Sequence, residues 1–291
     1  MVVLSLFDGI SCGQVALDRL GIKVDKYYAS EIEKNAIKIT QKNYPKTVQL
    51  GDVTKLDEKK LLELGKIDLL IGGSPCTDLS KTKQDRERKG LLGSQSSLYY
   101  EYLRIWKIVK PTYFLLENVE MQQEWQDIIT LDLGVGPVRL NSNILTAQDR
   151  KRLYWTNIPF LNNLEDKNLV LKDIVLDAAL IEKKYWYDKP FKYCGDNEKI
   201  QCILDINTHN LCKKVYNLNN KCGTLTCVGG GYQEKKVYQD GRCRKLTPLE
   251  YERLQTLPDN YTEGVSDSAR YSACGNGWTV DIIVELFRGL L

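Results

Sequence analysis

A cysteine that follows a predicted strand is the most reactive candidate in this chain. The largely apolar residues 67–71 predict a buried strand, and the sequence then continues Gly72, Gly73, Ser74, Pro75, Cys76. Proline fixes its own φ angle and favours extended backbone in the residue before it, which stiffens this turn. Open α/β folds place their chemistry at the carboxyl ends of such strands. Cys76 is therefore a candidate nucleophile, although a small buried cysteine without a chemical role is also common.

A glycine-containing turn near the start of the chain predicts a nucleoside site. Residues 2–7 form an apolar run of strand length, and residues 7–13 lead from it into a predicted helix. Glycines at such a junction let a ligand approach the backbone at the helix N-terminus. Glu31 ends the next predicted strand, where a carboxylate can bind ribose hydroxyls, and Asp52 follows the third, where it could accept an adenine amino group. Because no P-loop pattern accompanies them, these residues favour a nucleoside cofactor.

Two further segments carry charged side chains suited to the same site. Glu117 ends a strand that we expect to lie beside the strand of Cys76, where its carboxylate could act with the thiol or merely cap the next helix. Gln148, Arg150 and Arg152 alternate along a segment that we expect to be extended, which places all three on one face. Two aligned guanidinium groups suit a phosphate or an electron-rich base edge.

The pattern of elements predicts a doubly wound α/β domain and a smaller second domain. Strands and helices alternate through residues 1–160, which predicts a parallel sheet covered by helices on both faces. Residues 161–241 lose that alternation and predict a small, irregular, β-rich domain, and we expect residues 242–291 to complete the first domain. Residues 161–245 hold 15 basic and 11 acidic side chains, a balance that suits a polyanionic partner but also an ordinary solvated surface. The basic residues 81–93 could form a linker or, given their position after Cys76, a lid.

Composition excludes several classes of protein. The chain is 43% hydrophobic and 27% charged, as in ordinary globular proteins, and it has no apolar run of about 18 residues that would span a membrane. The absence of a signal-peptide pattern leads us to expect a cytoplasmic protein with its nine cysteines reduced. His209 and Cys212 are the one close His/Cys pair, so we expect no metal site.

Taken together, these motifs resemble those of the cytosine-5 DNA methyltransferases over nearly the whole chain. They occur in the family's order, at residues 7–13, 31, 51–53, 73–76, 117–119, 148–152, 244–257 and 275–280. The first motif and the one around Cys76 look most like the eukaryotic de novo subgroup, whereas the later ones look bacterial or phage-like. Thr77 stands where the family usually has Gln or Asn.

The resemblance implies a reaction, a fold and a partner. The reaction is methyl transfer from S-adenosylmethionine to C5 of a cytosine flipped out of duplex DNA, with Cys76 forming a covalent bond to C6. Glu117 would hold the exocyclic amine and ring N3, while Arg150 and Arg152 would contact the base carbonyl and the catalytic loop. The fold would be a Rossmann-like methyltransferase domain, with residues 161–241 as a target recognition domain. We expect a monomer that meets DNA in the cytoplasm or nucleoid and that needs no membrane or protein partner.

The resemblance also assigns residues to three groups. The catalytic group is Cys76, Glu117, Arg150 and Arg152. The cofactor group is Phe7, Asp8, Gly9, Ile10, Gly13, Glu31, Ile32, Asp52, Val53, Pro75, Asn276 and Trp278. The DNA-binding group is Ser80, Lys81, Lys83, Arg86, Arg88, Thr224, Leu225, Gly229 and Gly230.

Three alternatives remain open at this point. An RNA cytosine-5 methyltransferase could use the same scaffold and the same cysteine. A catalytically inactive DNA-binding regulator could share the fold, although such proteins lose the cysteine or the glutamate and this chain keeps both. An NAD-dependent oxidoreductase rests on the glycine turn alone.

Overall fold

The computed structural model describes residues 1–75 and 98–291. Its strands are β1 Val2–Leu6, β2 Lys26–Ser30, β3 Val48–Gln49, β4 Leu69–Gly73, β5 Tyr113–Val119, β6 Pro137–Asn141, β7 Gln148–Asp149, β8 Lys151–Thr156, β9 Phe191–Tyr193, β10 Ile200–Leu204, β11 Lys214–Tyr216, β12 Cys222–Gly223, β13 Lys236–Gln239 and β14 Arg242–Lys245. Its α-helices are α1 Cys12–Arg19, α2 Lys34–Asn43, α3 Glu58–Glu63, α4 Leu98–Val109, α5 Gln123–Leu133, α6 Pro248–Leu254, α7 Asp267–Asn276 and α8 Val280–Phe287. Residues 76–97 lie outside this description.

The described chain forms two compact units. The first unit comprises residues 1–140, 151–161 and 283–291, and the second comprises residues 141–150 and 162–282. The first unit holds a seven-stranded sheet in the order β3-β2-β1-β4-β5-β8-β6. Neighbours from β3 to β5 are parallel, and β8 is antiparallel to β5. The predicted α/β class with a parallel sheet is confirmed.

The central strands of the first unit, β1, β4 and β5, are largely apolar on both faces. Leu4, Leu6, Leu70 and Leu116 are fully buried in one continuous core. Trp155 extends that core from β8 and donates its indole N–H to the Thr130 hydroxyl at 3.1 Å. A strand that is buried on both sides needs a continuous apolar run, which is the pattern that these sequences show.

The second unit is built on a five-stranded sheet in the order β14-β13-β11-β10-β9. Its pairs are antiparallel except β11 with β13, and β12 pairs separately with β7. The core of this sheet is small and contains Cys202, Leu204, Val215 and Cys243. Short strands joined by long irregular segments agree with the predicted small, irregular, β-rich portion.

The compact units divide the chain differently from the predicted domain boundaries. Residues 242–282 pack with the second unit, whereas the prediction joined residues 242–291 to the first domain. The Arg244 guanidinium bonds both carboxylate oxygens of Glu250 at 2.6 and 2.8 Å, and both side chains are fully buried. The Tyr271 hydroxyl donates to the Leu246 carbonyl at 2.6 Å. These contacts bind α6 and α7 to the β13–β14 hairpin.

The segment around Arg150 also departs from the sequence expectation. We expected residues 148–152 to be one extended segment with alternating faces, but β7 ends at Asp149 and β8 begins at Lys151. Arg150 belongs to the second unit and Arg152 to the first. Gln148 and Arg150 both bond the backbone of Leu225, as alternation along one face predicts, whereas Arg152 bonds Glu117 of the first unit.

Every helix among residues 1–75 and 98–291 is too short or too polar to span a lipid bilayer.

Breaking the buried Arg244–Glu250 pair should strongly destabilise the second unit. Glu250 also accepts the Thr247 N–H in a capping box at the start of α6, so Glu250→Gln leaves a buried guanidinium without its counter-charge. We expect a loss of about 3–5 kcal/mol in the free energy of unfolding, measured by urea denaturation. Glu285→Gln, which breaks the solvent-exposed pair with Arg288, is the matched control and should cost at most about 1 kcal/mol. Equal losses in the two variants would contradict this assignment.

Candidate active site

The turn after β1 holds a partly buried carboxylate in a strained backbone. Phe7, Gly9 and Ser11 all have positive φ angles, of 56°, 59° and 57°. Such angles are costly for residues other than glycine and are typical of functional turns. The Asp8 carboxylate accepts hydrogen bonds from the Tyr27 hydroxyl at 2.9 Å and from the Ser11 hydroxyl. Loss of solvent raises the pKa of Asp8 to about 6, against the opposing effect of these hydroxyl donors.

Glu31 follows the end of β2 and is bonded to the same turn. Its Oε2 accepts the Gly9 N–H at 2.8 Å, and its Oε1 accepts the N–H groups of Ile32 and Glu33 at 2.7 and 2.9 Å. A carboxylate has about four acceptor positions, so three backbone donors leave room for one more. Glu31 therefore fixes the turn and keeps acceptor capacity for a hydroxyl group.

Ile32 and Asp52 add an exposed apolar side chain and a second carboxylate to this end of the sheet. Ile32 follows Glu31 and is 71% exposed, which is unusual for a large apolar side chain beside a polar turn. Asp52 follows β3 and uses one oxygen, Oδ1, to accept from the N–H and hydroxyl of Thr54. Those two donors lower the pKa of Asp52.

Three other residues of the predicted cofactor group are buried supports of this edge. Ile10 lies in the first turn and Val53 follows Asp52, and both side chains are almost fully buried. Gly13 of α1 packs so closely on β4 that a Cβ atom there would lie 2.4 Å from Ile71 Cδ1. These positions shape the edge from within, and their contact with a cofactor remains a prediction.

The ends of β4 and β5 are joined by a buried hydrogen bond. Gly73 of β4 lies opposite Glu117 of β5 in the parallel register. The Asn118 side-chain amide donates to the Ser74 hydroxyl at 3.0 Å, and both residues are buried. Asn118 Oδ1 also accepts the Val119 N–H at 2.8 Å. This link fixes the backbone immediately before Pro75, which precedes Cys76.

The Glu117 carboxylate is oriented by an arginine. Arg152 Nε lies 2.8 Å from Glu117 Oε1, and these side chains are only 14% and 10% exposed. Glu117 and Arg152 belong to the hydrogen-bonded pair of strands β5 and β8, which sets their spacing. A charge-assisted bond in such a partly buried place holds a carboxylate in one rotamer. The structure thus places Arg152 beside Glu117 rather than beside Arg150.

Arg150 is a buried connector of the second unit. Its guanidinium donates to the carbonyls of Leu225, Gly275 and Gly277 at 3.0, 3.2 and 2.9 Å. Gly275 is needed there, because a Cβ atom at that position would come within 2.4 Å of the Thr226 backbone. Arg150 and Arg152 each bond a different protein partner, and their contacts with a base remain predictions.

The other predicted residues of the second unit lie near these connections. The exposed Asn276 accepts from the Cys227 thiol at 2.9 Å, and Trp278 is half-buried. Thr224 donates its hydroxyl to the Asp149 carbonyl at 2.6 Å, whereas Gly229 and Gly230 are exposed. Cofactor contact by Asn276 and Trp278 remains a prediction, as does DNA contact by Thr224, Leu225, Gly229 and Gly230.

Several predicted residues lie outside the described residues. They are Cys76 and the predicted DNA contacts of the basic loop, namely Ser80, Lys81, Lys83, Arg86 and Arg88. Their roles stay predictions from the sequence. Among the described residues, no group of three or more His, Cys, Asp or Glu side chains could hold a metal ion.

Sequence reasoning missed the residues that support the site. Ser74 and Asn118 stand inside motifs that we interpreted only for their cysteine and glutamate. Ser11 and Tyr27 were missed as partners of Asp8 because no recognisable pattern pairs either of them with it. A polar side chain inside an otherwise apolar strand end was the one available signal for Asn118.

Asp8 should make stability depend on pH. The unfolded carboxyl titrates near 3.8 and the folded one at about 6, so the folded state holds its proton more tightly. As the pH rises from about 4 to about 6, the free energy of unfolding of the wild type should therefore fall relative to Asp8→Asn, which carries no titrating carboxyl. Urea denaturation across this range would check it. Identical pH profiles for the two proteins would refute the assignment.

Comparison with known proteins places these features in a family. Residues 1–133 and 140–291 match the family described as C-5 cytosine-specific DNA methylase. The chain is 27% identical over 325 residues to Type II methyltransferase M1.ScrFI of Lactococcus lactis subsp. cremoris, covering 99% of this chain and 77% of that protein. It is 24% identical over 306 residues to Type II methyltransferase M.HhaI of Haemophilus parahaemolyticus, covering 96% and 91%.

A solved structure shares the fold. The Entamoeba histolytica methyltransferase EhMeth superimposes with a TM-score of 0.76 at 16% identity, covering 100% of this chain and 99% of that one. The family match extends over nearly all residues and includes each motif found in the sequence. The resemblance inferred from those motifs is thereby confirmed, and the chain belongs to the C-5 cytosine-specific DNA methylase family.

Proposed function

We propose that this enzyme transfers a methyl group to C5 of a cytosine that is flipped out of duplex DNA, through a covalent bond between Cys76 and C6. Methylation of cytosine in DNA follows from the family and from the Type II methyltransferases among its relatives. The observation that supports the covalent route is the joined end of β4 and β5. There Glu117 of β5 lies in register with Gly73 of β4, and β4 is followed in the sequence by Ser74, Pro75 and Cys76.

The family implies a methyl donor, and we propose S-adenosylmethionine. When bound, it supplies a methyl group on a sulfonium centre. The residues at the ends of β1, β2 and β3 suit its nucleoside part: Glu31 has acceptor capacity for a ribose hydroxyl, and Ile32 offers an exposed apolar surface for a base. Asp52 keeps a second carboxylate oxygen, Oδ2, that could accept from an adenine amino group.

Cys76 would overcome the low nucleophilicity of cytosine C5. Its thiolate adds to C6, so an S–C6 bond forms while the C5–C6 double bond is broken and C5 gains the electron pair. After C5 is methylated, a base removes the C5 proton, the double bond returns and the thiolate leaves. A flipped base is required, because C6 is not accessible to a protein thiol within the base stack.

Glu117 and Arg152 have different proposed roles at the base. The Glu117 carboxyl group would bond the exocyclic amine and protonate ring N3, which stabilises the adduct. Arg152 holds Glu117 in place at 2.8 Å and so acts as a positioning residue. Arg150, bonded to three carbonyls, would support the base-reading side from within the second unit.

Residues 161–241, nearly all of them in the second unit, are the proposed target recognition domain. They contain the Thr224-Leu225 pair and the exposed Gly229 and Gly230, and residues 161–245 hold 15 basic against 11 acidic side chains. We propose duplex DNA as the one obligatory macromolecular partner. The enzyme would act as a monomer in the cytoplasm or on the nucleoid.

Cofactor binding should depend on Glu31. Glu31→Ala removes a charged acceptor from three backbone donors and from the proposed ribose contact, each bond being worth about 1.5–3 kcal/mol. We expect S-adenosylmethionine to bind about ten-fold more weakly or worse in titration calorimetry. Glu63→Ala, an exposed acid on α3, should bind normally. Wild-type affinity in Glu31→Ala would place the cofactor elsewhere.

Cys76 should be trapped by a fluorinated substrate. In duplex DNA with 5-fluorocytosine at the target, fluorine cannot leave as the proton does, so elimination stops after methyl transfer. We expect a denaturation-resistant complex that requires S-adenosylmethionine and maps by peptide mass spectrometry to Cys76. Cys76→Ser should give no complex and almost no turnover, while still binding S-adenosylmethionine.

Two outcomes would contradict the proposed function. Normal methylation by Cys76→Ser would remove the covalent route. Methylation of transfer RNA, with none of duplex DNA in the same assay, would favour the RNA substrate instead.

A further inference from the structure

An exposed loop of the second unit has an unusual backbone. Gly230, Gly231 and Tyr232 have consecutive positive φ angles of 107°, 66° and 63°. Two of these are glycines, which adopt the conformation readily, but Tyr232 adopts it at a cost. The Tyr232 side chain is 39% exposed. A strained, exposed aromatic residue keeps its conformation only where neighbouring groups stabilise it. Residues 229–234, which contain Tyr232, are called the apical loop.

Both sides of the apical loop are anchored by side chains. At its start, the Gly229 N–H donates to Gln233 Oε1 at 2.8 Å, which closes the loop on itself. In its middle, the Thr208 hydroxyl donates to the Gly231 carbonyl at 2.9 Å. Just before it, Val228 exchanges two hydrogen bonds with the Ser272 hydroxyl on α7. The loop is therefore tied to its surroundings although its residues lie at the surface.

The end of the apical loop is held from below by a buried lysine. Lys236, the first residue of β13, has no exposed surface. Its Nζ donates to the carbonyls of Tyr232 and Glu234 at 2.5 and 2.8 Å and lies 5.7 Å from the centre of the Tyr187 ring. The Tyr187 ring also packs against Tyr232, with centroids 6.0 Å apart. One ammonium group thus fixes the backbone on both sides of Gln233.

A buried ammonium group is an unfavourable way to fill this position. Removing a charge from water costs several kcal/mol, and an apolar side chain of similar volume often serves stability as well or better. The carboxylate of Glu234 is paired with Lys245 at 3.4 Å, while the Glu234 carbonyl is what Lys236 bonds. Lys236 is therefore better explained by the loop conformation that it imposes than by stability.

We propose that, in the apical loop whose Gly229 and Gly230 are predicted DNA contacts, Tyr232 contacts the substrate and Lys236 is the positioning residue. This inference rests on the proposed function and names side chains that the motifs did not. Tyr232 gives the loop an exposed aromatic face, which suits stacking on a base or packing against the sugar–phosphate backbone. The Lys236 ammonium group is buried and bonded to the Tyr232 carbonyl, so it acts on the backbone of the loop and not directly on the DNA.

The test is the affinity for duplex DNA with S-adenosylhomocysteine present, so that no turnover is needed. Tyr232→Ala should bind the target duplex at least five-fold more weakly, whereas Tyr232→Phe, which keeps the ring, should bind as the wild type does. Tyr193→Ala, a comparably exposed tyrosine of the same unit, is the control and should be unchanged. Wild-type affinity in Tyr232→Ala would overturn the assignment.

Lys236→Met separates positioning from folding. It removes the donors but keeps the bulk, so Tm should stay equal or rise while DNA affinity and the preference for the target over altered sequences fall at least five-fold. Lys172→Met, which removes an exposed charge from the same unit, should change neither. Unchanged DNA affinity and sequence preference in Lys236→Met would overturn the positioning role. If Lys236→Met did not fold, the two Tyr232 variants would decide the assignment.

A pH profile gives a second readout for Lys236. Burial lowers its pKa to about 8, with Glu234 opposing that shift, Lys235 and Lys245 adding to it, and Cys212 and the Tyr187 ring also facing the group. The loop contact is charged below that pH and loses its charge above it. DNA affinity of the wild type should fall more steeply between about pH 7 and pH 9 than that of Lys236→Met. Parallel profiles would overturn the charged contact, and a wild type that binds DNA without methylating it would count only against the proposed reaction.

Discussion

The parallel register of β2, β1, β4 and β5 is the constraint on which the first unit depends. Because these strands run in the same direction, all of their carboxyl ends lie along one edge of the sheet. That edge brings together the turn that begins at Phe7, Glu31, Ser74 and Glu117, which are far apart in sequence and share no local pattern. A shift of one residue in one of these strands would turn the side chains of that strand to the other face of the sheet.

Buried and partly buried polar contacts then fix the edge that the register creates. Glu31 bonds the Gly9 N–H, Asn118 bonds Ser74, and Arg152 bonds Glu117, so each functional segment is tied to a neighbouring strand. Each contact satisfies polar groups that would otherwise be costly to bury. The two ends of this edge are therefore held by hydrogen bonds across adjacent strands rather than by their loops alone.

The second unit uses buried charge for the same purpose. Arg150 gathers three carbonyls from two segments, Arg244 pairs with Glu250, and Lys236 holds two carbonyls of an exposed loop. Because its sheet has a small apolar core, these charged groups do much to fix the conformation of the second unit, as side-chain packing does in the first unit. A buried charge is stable only where specific hydrogen-bond donors or acceptors surround it, and this requirement favours one conformation.

The sequence by itself determined the family, the α/β class and most elements of the first unit, because apolar runs, helix caps and ordered motifs are local signals. It also indicated Glu31, Cys76 and Glu117, since each follows or ends a recognisable strand. Only the tertiary structure decided that Arg150 and Arg152 serve different partners, that residues 242–282 pack with the second unit, and that a buried lysine lies beneath a surface loop. Those features depend on contacts between segments whose approach no local pattern specifies, and side-chain type alone does not encode which carbonyl or carboxylate a buried charge will meet.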